Sequence, residues 1–355
     1  IISYIFIFFY TVNIARFLGA DGFGLISFAI AFSTIFSIFA DLGLSTLTVR
    51  EVSRNKLLTT KYLRNVLGIK ILLTLFAFGL IVFFVNLFGY PKETILVVYL
   101  VSLSVMLTSL YGIFYSIFQA HEKMEYQSIG QILNAIIMFF GIIIAITLGF
   151  DVIGFSIIYL ISSLIILIYN LIIYQWIFSQ PKLEFDKKFW AVNLKESWPY
   201  GLSGFSVMLY TYIDSVILSL IQGNEVVGWY NAAYKLVLFL VFIPSTINLT
   251  IFPAMSKFYI SSPNSLRFIN EEYFKFMLII GIPLGIGTTI LADRIILIIF
   301  GSGYSSSIIA LQILIWTIVF TFAGAAFVRL LEATNKQLLL SKITGISVVV
   351  NVFAK

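Results

Sequence analysis

What most constrains this chain is a series of long stretches without a single charge: 22–40, 71–91, 94–120, 126–150, 152–181, 236–256 and 295–328. An α-helix needs about 20 apolar residues to cross the hydrocarbon of a bilayer, and these stretches match or exceed that length. A transmembrane barrel is built from alternating segments of about 10 residues, whereas these runs are continuous. Charge is also too scarce to cover a water-facing globule. Of 355 residues 60% are hydrophobic and 11% charged, against about 25% charged in an ordinary soluble domain. A soluble enzyme and a disordered chain are therefore excluded. The fold class is an all-α polytopic membrane protein.

Allowing for short loops, the chain reads as about ten full transmembrane helices: 1–18, 23–47, 65–88, 94–118, 127–149, 152–175, 198–220, 227–254, 273–291 and 307–330. Part of an eleventh begins near Leu338. The connections alternate in charge. Those after even-numbered spans hold 16 of the 22 Lys and Arg residues, among them Arg50, Arg54, Lys56, Lys61, Arg64 and Lys123. The opposite loops carry only Lys92 and Arg294. Positive charge is retained on the cytoplasmic side, which places those connections and the N-terminal side in the cytoplasm, and the chain in the cytoplasmic membrane. The stretch 1–18 has no basic start, and Arg16 sits where a signal peptide would be cleaved. It reads as a span, and the chain reads as a fragment of a longer protein.

The connection 176–196 is long and charged. It divides the chain into an N-terminal lobe, 1–175, a cytoplasmic linker, 176–196, and a C-terminal lobe, 197–355. A weak repeat supports this division. Gly19, Gly24 and Ala29 recur as Gly223, Gly228 and Ala233, with an offset of 204 residues, about six spans. Two six-helix halves around a central site are a common transporter plan.

Charges within apolar spans are costly and mark cavities, partners or ion paths. Arg16 and Lys235 lie toward the outer ends of their spans, where a long cation either snorkels to the interface or faces a cavity. Asp41 either pairs with Arg50 at the inner face or couples to an ion. Asp214, with apolar residues on both sides, reads as lining a hydrophilic cavity and as a second candidate for ion coupling. Tyr210 shares a helical face with Asp214, and Tyr230 and Tyr234 share another. They belong either to an interfacial aromatic belt or to a sugar-binding surface. Arg50, Arg54 and Lys56 serve topology and anionic lipid, or attract a diphosphate headgroup through the planar guanidinium fork. Pro244, Pro253 and the group Gly281, Pro283, Gly285 and Gly287 mark helices that bend or pack closely.

Catalytic signatures are absent. With no Cys and one His, His121, thiolate and multi-histidine metal sites are excluded. There is no phosphate-binding Gly-rich loop, nucleophile elbow or His-Glu-x-x-His. Glu184 and Asp186 stand alone in a Lys-rich connection. Glu271 and Glu272 read as acids at a helix start. The expectation is a protein that is not an enzyme, takes no cofactor and binds no nucleic acid.

Four groups of residues then resemble one family. They are Ala15-Arg-Phe-Leu-Gly-Ala-Asp-Gly-Phe-Gly-Leu with Ala40-Asp-Leu-Gly-Leu-Ser-Thr and Val49-Arg-Glu; Gly228-Trp-Tyr-Asn-Ala-Ala-Tyr-Lys with Phe252-Pro-Ala-Met-Ser; Leu291-Ala-Asp-Arg with Phe300-Gly and Tyr304; and Glu332-Ala-Thr-Asn-Lys-Gln. In order and spacing they resemble oligosaccharide flippases of the Wzx type, in the multidrug/oligosaccharidyl-lipid/polysaccharide exporter superfamily. The resemblance implies a MATE-like two-lobed bundle that flips a polyprenyl-diphosphate-linked glycan across the membrane by alternating access. It implies a cationic cavity, for which Arg16, Arg50 and Lys235 are the matching residues. Membrane lipids and other glycan assembly proteins are the further partners it implies. The competing readings are a multidrug/cation antiporter of the same superfamily, which needs an acidic aromatic cavity, a membrane polysaccharide polymerase, which needs a large aqueous loop, and a scaffold of an export complex.

Overall fold

The computed structural model describes residues 2–178 and 184–334, and beyond them 336, 339, 342–343 and 345–347. Pro181, Lys182 and the expected start of an eleventh span at Leu338 lie outside the described residues. The chain forms α1 (Ile2–Asp41), α2 (Leu44–Arg54), a 3-10 turn (Lys56–Leu58), α3 (Thr59–Leu87), α4 (Lys92–Ala120), α5 (Met124–Thr147) and α6 (Val152–Ile177). It continues as α7 (Lys187–Gln222), α8 (Asn224–Leu240), α9 (Phe242–Ser261), α10 (Pro263–Ile299), a second 3-10 turn (Ser302–Tyr304) and α11 (Ser307–Ala333). No strand occurs among the described residues.

Nine helical segments among them are long and apolar enough to cross a membrane. The sequence reading has ten spans because α1 contains two. Its 40 residues would rise about 60 Å, twice the ~30 Å of hydrocarbon. The break is at Gly19, with φ 69° and ψ −177°, a combination open essentially to glycine alone. Gly223, between α7 and α8, has φ 85° and ψ 178°. The first glycines of the two repeat copies thus share a rare backbone conformation as well as a spacing.

Other boundaries differ from the sequence reading for local reasons. The second span stops at Asp41, not 47, because Leu42 and Gly43 both take positive φ, and α2 starts afresh. The connection 176–196 is helical from Lys187. Asp186 caps that helix by accepting from the backbone N–H of Lys188 and Phe189, as Asp at an N-cap does. The eighth span divides into α8 and α9 at Val241, three residues before Pro244. The α10 helix begins at Pro263, capped by Ser262, so Glu271 and Glu272 lie two turns inside it. There they pair with Arg267 and Lys275. Helix α10 runs on through Pro283. A Cβ on Gly281 or Gly285 would meet Phe322 or Val319, so these glycines let α10 and α11 approach closely.

Helix α6 displays the membrane logic most plainly. Ser162, Ile166, Asn170 and Tyr174, spaced by four, are buried. Ile161, Leu164, Ile165, Ile168, Ile172 and Trp176 form the exposed stripe. The Ser162 hydroxyl donates to Asn134 Oδ1 at 2.6 Å and the Asn170 amide to Ile166 O at 2.8 Å. Polar side chains turn inward while apolar ones turn outward, as lipid requires.

The described residues form two compact units, Ile1–Val227 and Gly228–Lys355. In the first, one core cluster joins Phe28, Phe32 and Ile35 of α1 to Ile81 and Val85 of α3, Val97 and Val101 of α4, and Val216 of α7. A second lies under α2, with Leu44 and Val52 against Leu63, Val66, Phe114, Ile117 and Tyr174. In the second unit Met255, Leu266 and Ala333 form a smaller core.

Candidate functional site in the first unit

The Ala40–Thr46 motif builds the site. Asp41 ends α1, and its carboxylate accepts from Lys70 Nζ at 2.7 Å and from Ser45 Oγ at 2.5 Å. Lys70, on α3, has a side chain only 1% exposed. Its ammonium also donates to Ser45 Oγ at 3.0 Å and to the Ser109 carbonyl at 2.6 Å. All three of its protons are used, as burial of a charge demands. Asp41 is therefore paired with Lys70, not with Arg50.

The next residues make a close backbone contact. A Cβ on Gly43 would lie 2.5 Å from the Ser197 carbonyl and 2.6 Å from the Gly201 nitrogen. A Cβ on Gly201 would lie 2.8 Å from the Leu42 carbonyl carbon. Two glycines facing each other let α7 press against the turn between α1 and α2. That contact brings Glu196 and Tyr200 to Arg50.

Arg50 is thoroughly engaged. Its Nε donates to Glu51 at 2.7 Å, Nη1 to the Tyr200 hydroxyl at 3.0 Å and Nη2 to Glu196. The guanidinium also lies 5.9 Å from the centre of the Tyr200 ring. These carboxylates, Glu196 first, raise its already high pKa further.

Beside these groups lies a cavity of about 650 Å³. Helix α2 contributes Ser45, Thr46, Val49 and Arg50, α4 contributes Gly112, Tyr115, Ser116 and Gln119, α5 contributes Gln127, and α7 contributes Tyr200. Its size falls in the range of ligand pockets, about 300–1,000 Å³. Seven of its ten lining residues carry a hydroxyl or a side-chain amide, and Gln119 Nε2 donates to Gln127 Oε1 at 2.9 Å.

Of the expected site residues, the structure gathers Asp41 and Arg50 here, linked through Ser45 and α2. Asp214 and Tyr210 are on α7, ten or more residues beyond Tyr200, which is about 15–21 Å along the axis. Asp214 is half-buried and Tyr210 exposed. Arg16 is exposed on α1. Tyr230, Tyr234 and Lys235 belong to the second unit, where the two tyrosine rings stack at 5.6 Å. Sequence reasoning missed Lys70, although it was one of the few basic residues outside the loop alternation. It also missed Gln119 and Gln127, which carry no charge to flag them.

Where α3 begins and α4 ends, His121 Nε2 and Thr59 Oγ1 are 2.7 Å apart, and the imidazole packs on Phe178 at 4.7 Å. Burial first, then Lys56 and Lys123, hold its pKa below the ordinary 6.5. The unfolded chain takes up a proton more readily, so stability is present above the unfolded value and is lost as pH falls through the lower folded one. Between about pH 8 and about pH 5, thermal stability is expected to fall more steeply in the parent than in His121→Gln. Equal slopes would remove His121 from this role.

An apolar exterior, inward-turned polar groups and a polar cavity with a buried ion pair define a multi-pass helical membrane protein. Its fold is that of the MATE and MurJ structures. The lipid II flippase MurJ in an inward-closed conformation aligns with a TM-score of 0.79 and 19% identity, over 99% of this chain and 78% of that one. An inward-facing multidrug resistance MATE family transporter of the MOP superfamily aligns with a TM-score of 0.74 and 14% identity, over 99% and 84%. Residues 1–259 match the polysaccharide biosynthesis protein family, and the chain belongs to that family. A candidate O-antigen transporter of Shigella dysenteriae is 32% identical over 119 residues, 33% of this chain. The matched stretch spans 28% of that relative.

Proposed function

We propose that the chain is a flippase for polyprenyl-diphosphate-linked oligosaccharide, moving the glycan from the cytoplasmic to the outer leaflet of the cytoplasmic membrane by alternating access. The observation that carries this reading is a polar cavity inside a lipid-facing bundle of a polysaccharide biosynthesis family member. The substrate's tail stays in lipid, and its hydrated headgroup needs a shielded polar route. The protein's work is translocation, with no bond made or broken. The lobes are 1–175 and 197–355, joined by 176–196, with the N-terminal side in the cytoplasm. Arg16 and Lys235 are the candidates for the diphosphate. Arg50, Tyr210, Asp214, Tyr230 and Tyr234 are candidate contacts for the headgroup, and Asp41 and Asp214 for ion coupling. Membrane lipids and other glycan assembly proteins are the expected partners.

The cavity disfavours the cation antiporter. None of its described lining residues is a carboxylate, and the nearby Asp41 is paired with Lys70. The deciding experiment places the purified full-length protein in liposomes with a polyprenyl-diphosphate oligosaccharide and follows leaflet exchange by accessibility to an added glycosidase. Exchange at least about tenfold above protein-free liposomes is expected, a difference of about 1.4 kcal/mol in barrier. Absence of exchange, with efflux of an organic cation instead, would replace this reading by the antiporter.

A further inference from the structure

We infer that the cavity between α2, α4, α5 and α7 binds the sugar rings of the substrate, not its diphosphate, and so sets which glycans are carried. This rests on the flippase reading and adds a division of labour within it.

Charge decides first. Among the described lining residues Arg50 is the only charged one, and Glu51, Glu196 and Tyr200 take three of the five N–H donors of its guanidinium. A diphosphate entering here would meet a guanidinium whose charge is already balanced by the carboxylates of Glu51 and Glu196. The neighbouring Lys70 is spent on Asp41, Ser45 and the Ser109 carbonyl. The cavity therefore offers an anion little uncompensated positive charge.

What it offers instead is suited to a neutral polyol. An amide carries both a donor and an acceptor, as does a hydroxyl. The Gln119–Gln127 hydrogen bond uses one N–H of Gln119 and the carbonyl side of Gln127. It leaves the Gln119 carbonyl and the Gln127 NH₂ group for adjacent hydroxyls of one ring. The Tyr200 hydroxyl accepts from Arg50, which orients its own proton toward another acceptor. Thr46 adds a hydroxyl, Ser45 and Ser116 add hydroxyl oxygens whose protons go to Asp41 and the Gly112 carbonyl, and Tyr115 adds an aromatic face. The arrangement is held firmly. Gly43 and Gly201 fix α7, and hence Tyr200, against α2. A Cβ on Gly130 would lie 2.6 Å from the Tyr115 hydroxyl, so the absence of that atom makes room for the ring. A site built to hydrogen-bond hydroxyls rejects ligands that lack them, because its polar groups are then left unmatched.

The test uses the full-length protein in nanodiscs. Affinities are measured for bare polyprenyl diphosphate and for polyprenyl diphosphates bearing a hexose, an N-acetylhexosamine or a deoxyhexose. Leaflet exchange is measured in parallel. The parent is expected to bind at least one glycosylated lipid about tenfold more tightly than the bare lipid. Gln119→Leu/Gln127→Leu is expected to abolish that preference while binding the bare lipid as the parent does, which also reports that the variant is folded. A preference that survives in the double variant would overturn the inference and leave the flippase standing. So would a parent that exchanges these lipids without preferring any sugar over the bare diphosphate. A parent that neither binds nor exchanges any of them would overturn the flippase reading as well.

Discussion

Replacing Lys70 with methionine is expected to destabilise the first unit by about 3–5 kcal/mol, the usual cost of removing one partner from a buried ion pair. The ammonium is enclosed by Asp41, Ser45 and the Ser109 carbonyl. Without it the Asp41 carboxylate, whose side chain is 24% exposed, keeps Ser45 as its donor. The double variant Lys70→Met/Asp41→Asn removes both charges and should recover most of the loss, since much of the penalty is the stranded charge. Thermal unfolding of the purified protein, arranged as a double-mutant cycle, reads both effects. A single variant as stable as the parent would mean that the pair holds nothing in place.

The second large effect belongs to Gly43. It combines positive φ, 78°, with backbone of α7 at 2.5–2.6 Å from any added Cβ. Neither obstacle is the end of a flexible side chain. Gly43→Ala is expected to cost more than about 4 kcal/mol, enough to prevent folding of a marginal domain. Gly201→Ala should behave alike, because it meets the other side of the same contact. Gly287 is the control. It lies within α10 with nothing within 4 Å of an added Cβ, and alanine there should stabilise by about 0.5–1 kcal/mol. Yields of folded, monodisperse protein would separate the three. A well-folded Gly43→Ala variant would show that α7 can stand away from α2.

The spans could be read in advance because each is a local property. An uncharged apolar run must be helical in lipid, whatever surrounds it. The small-residue repeat was also visible, since Gly19 and Gly223 meet a backbone demand that only glycine satisfies. Helix ends were harder. Asp186 and Ser262 extend α7 and α10 past the limits of the apolar runs, because a cap needs one polar residue and no hydrophobicity. The site was the least legible part. Asp41 stood out as an intramembrane charge, yet its partner is 29 positions away, on a helix whose rotation sequence does not fix. Gln119 and Gln127 look like ordinary polar residues at the end of one helix and the start of the next. Only the packing of four helices turns them toward a common space. Arg50 drew notice for its charge, but the carboxylate on α7 that compensates it lies 146 residues later.

That last separation sets an order of events during synthesis. Asp41 and Lys70 leave the ribosome close together, so their pair can close as soon as the third apolar run enters the membrane. The cavity has no such early completion. Until Glu196 and Tyr200 are made, Arg50 lacks its long-range partners, and the walls on α2, α4 and α5 lack the one that α7 supplies. The nascent chain must pass through several insertions with a polar flank unsealed. The seventh helix is therefore both a wall of the finished cavity and the step that ends this exposure.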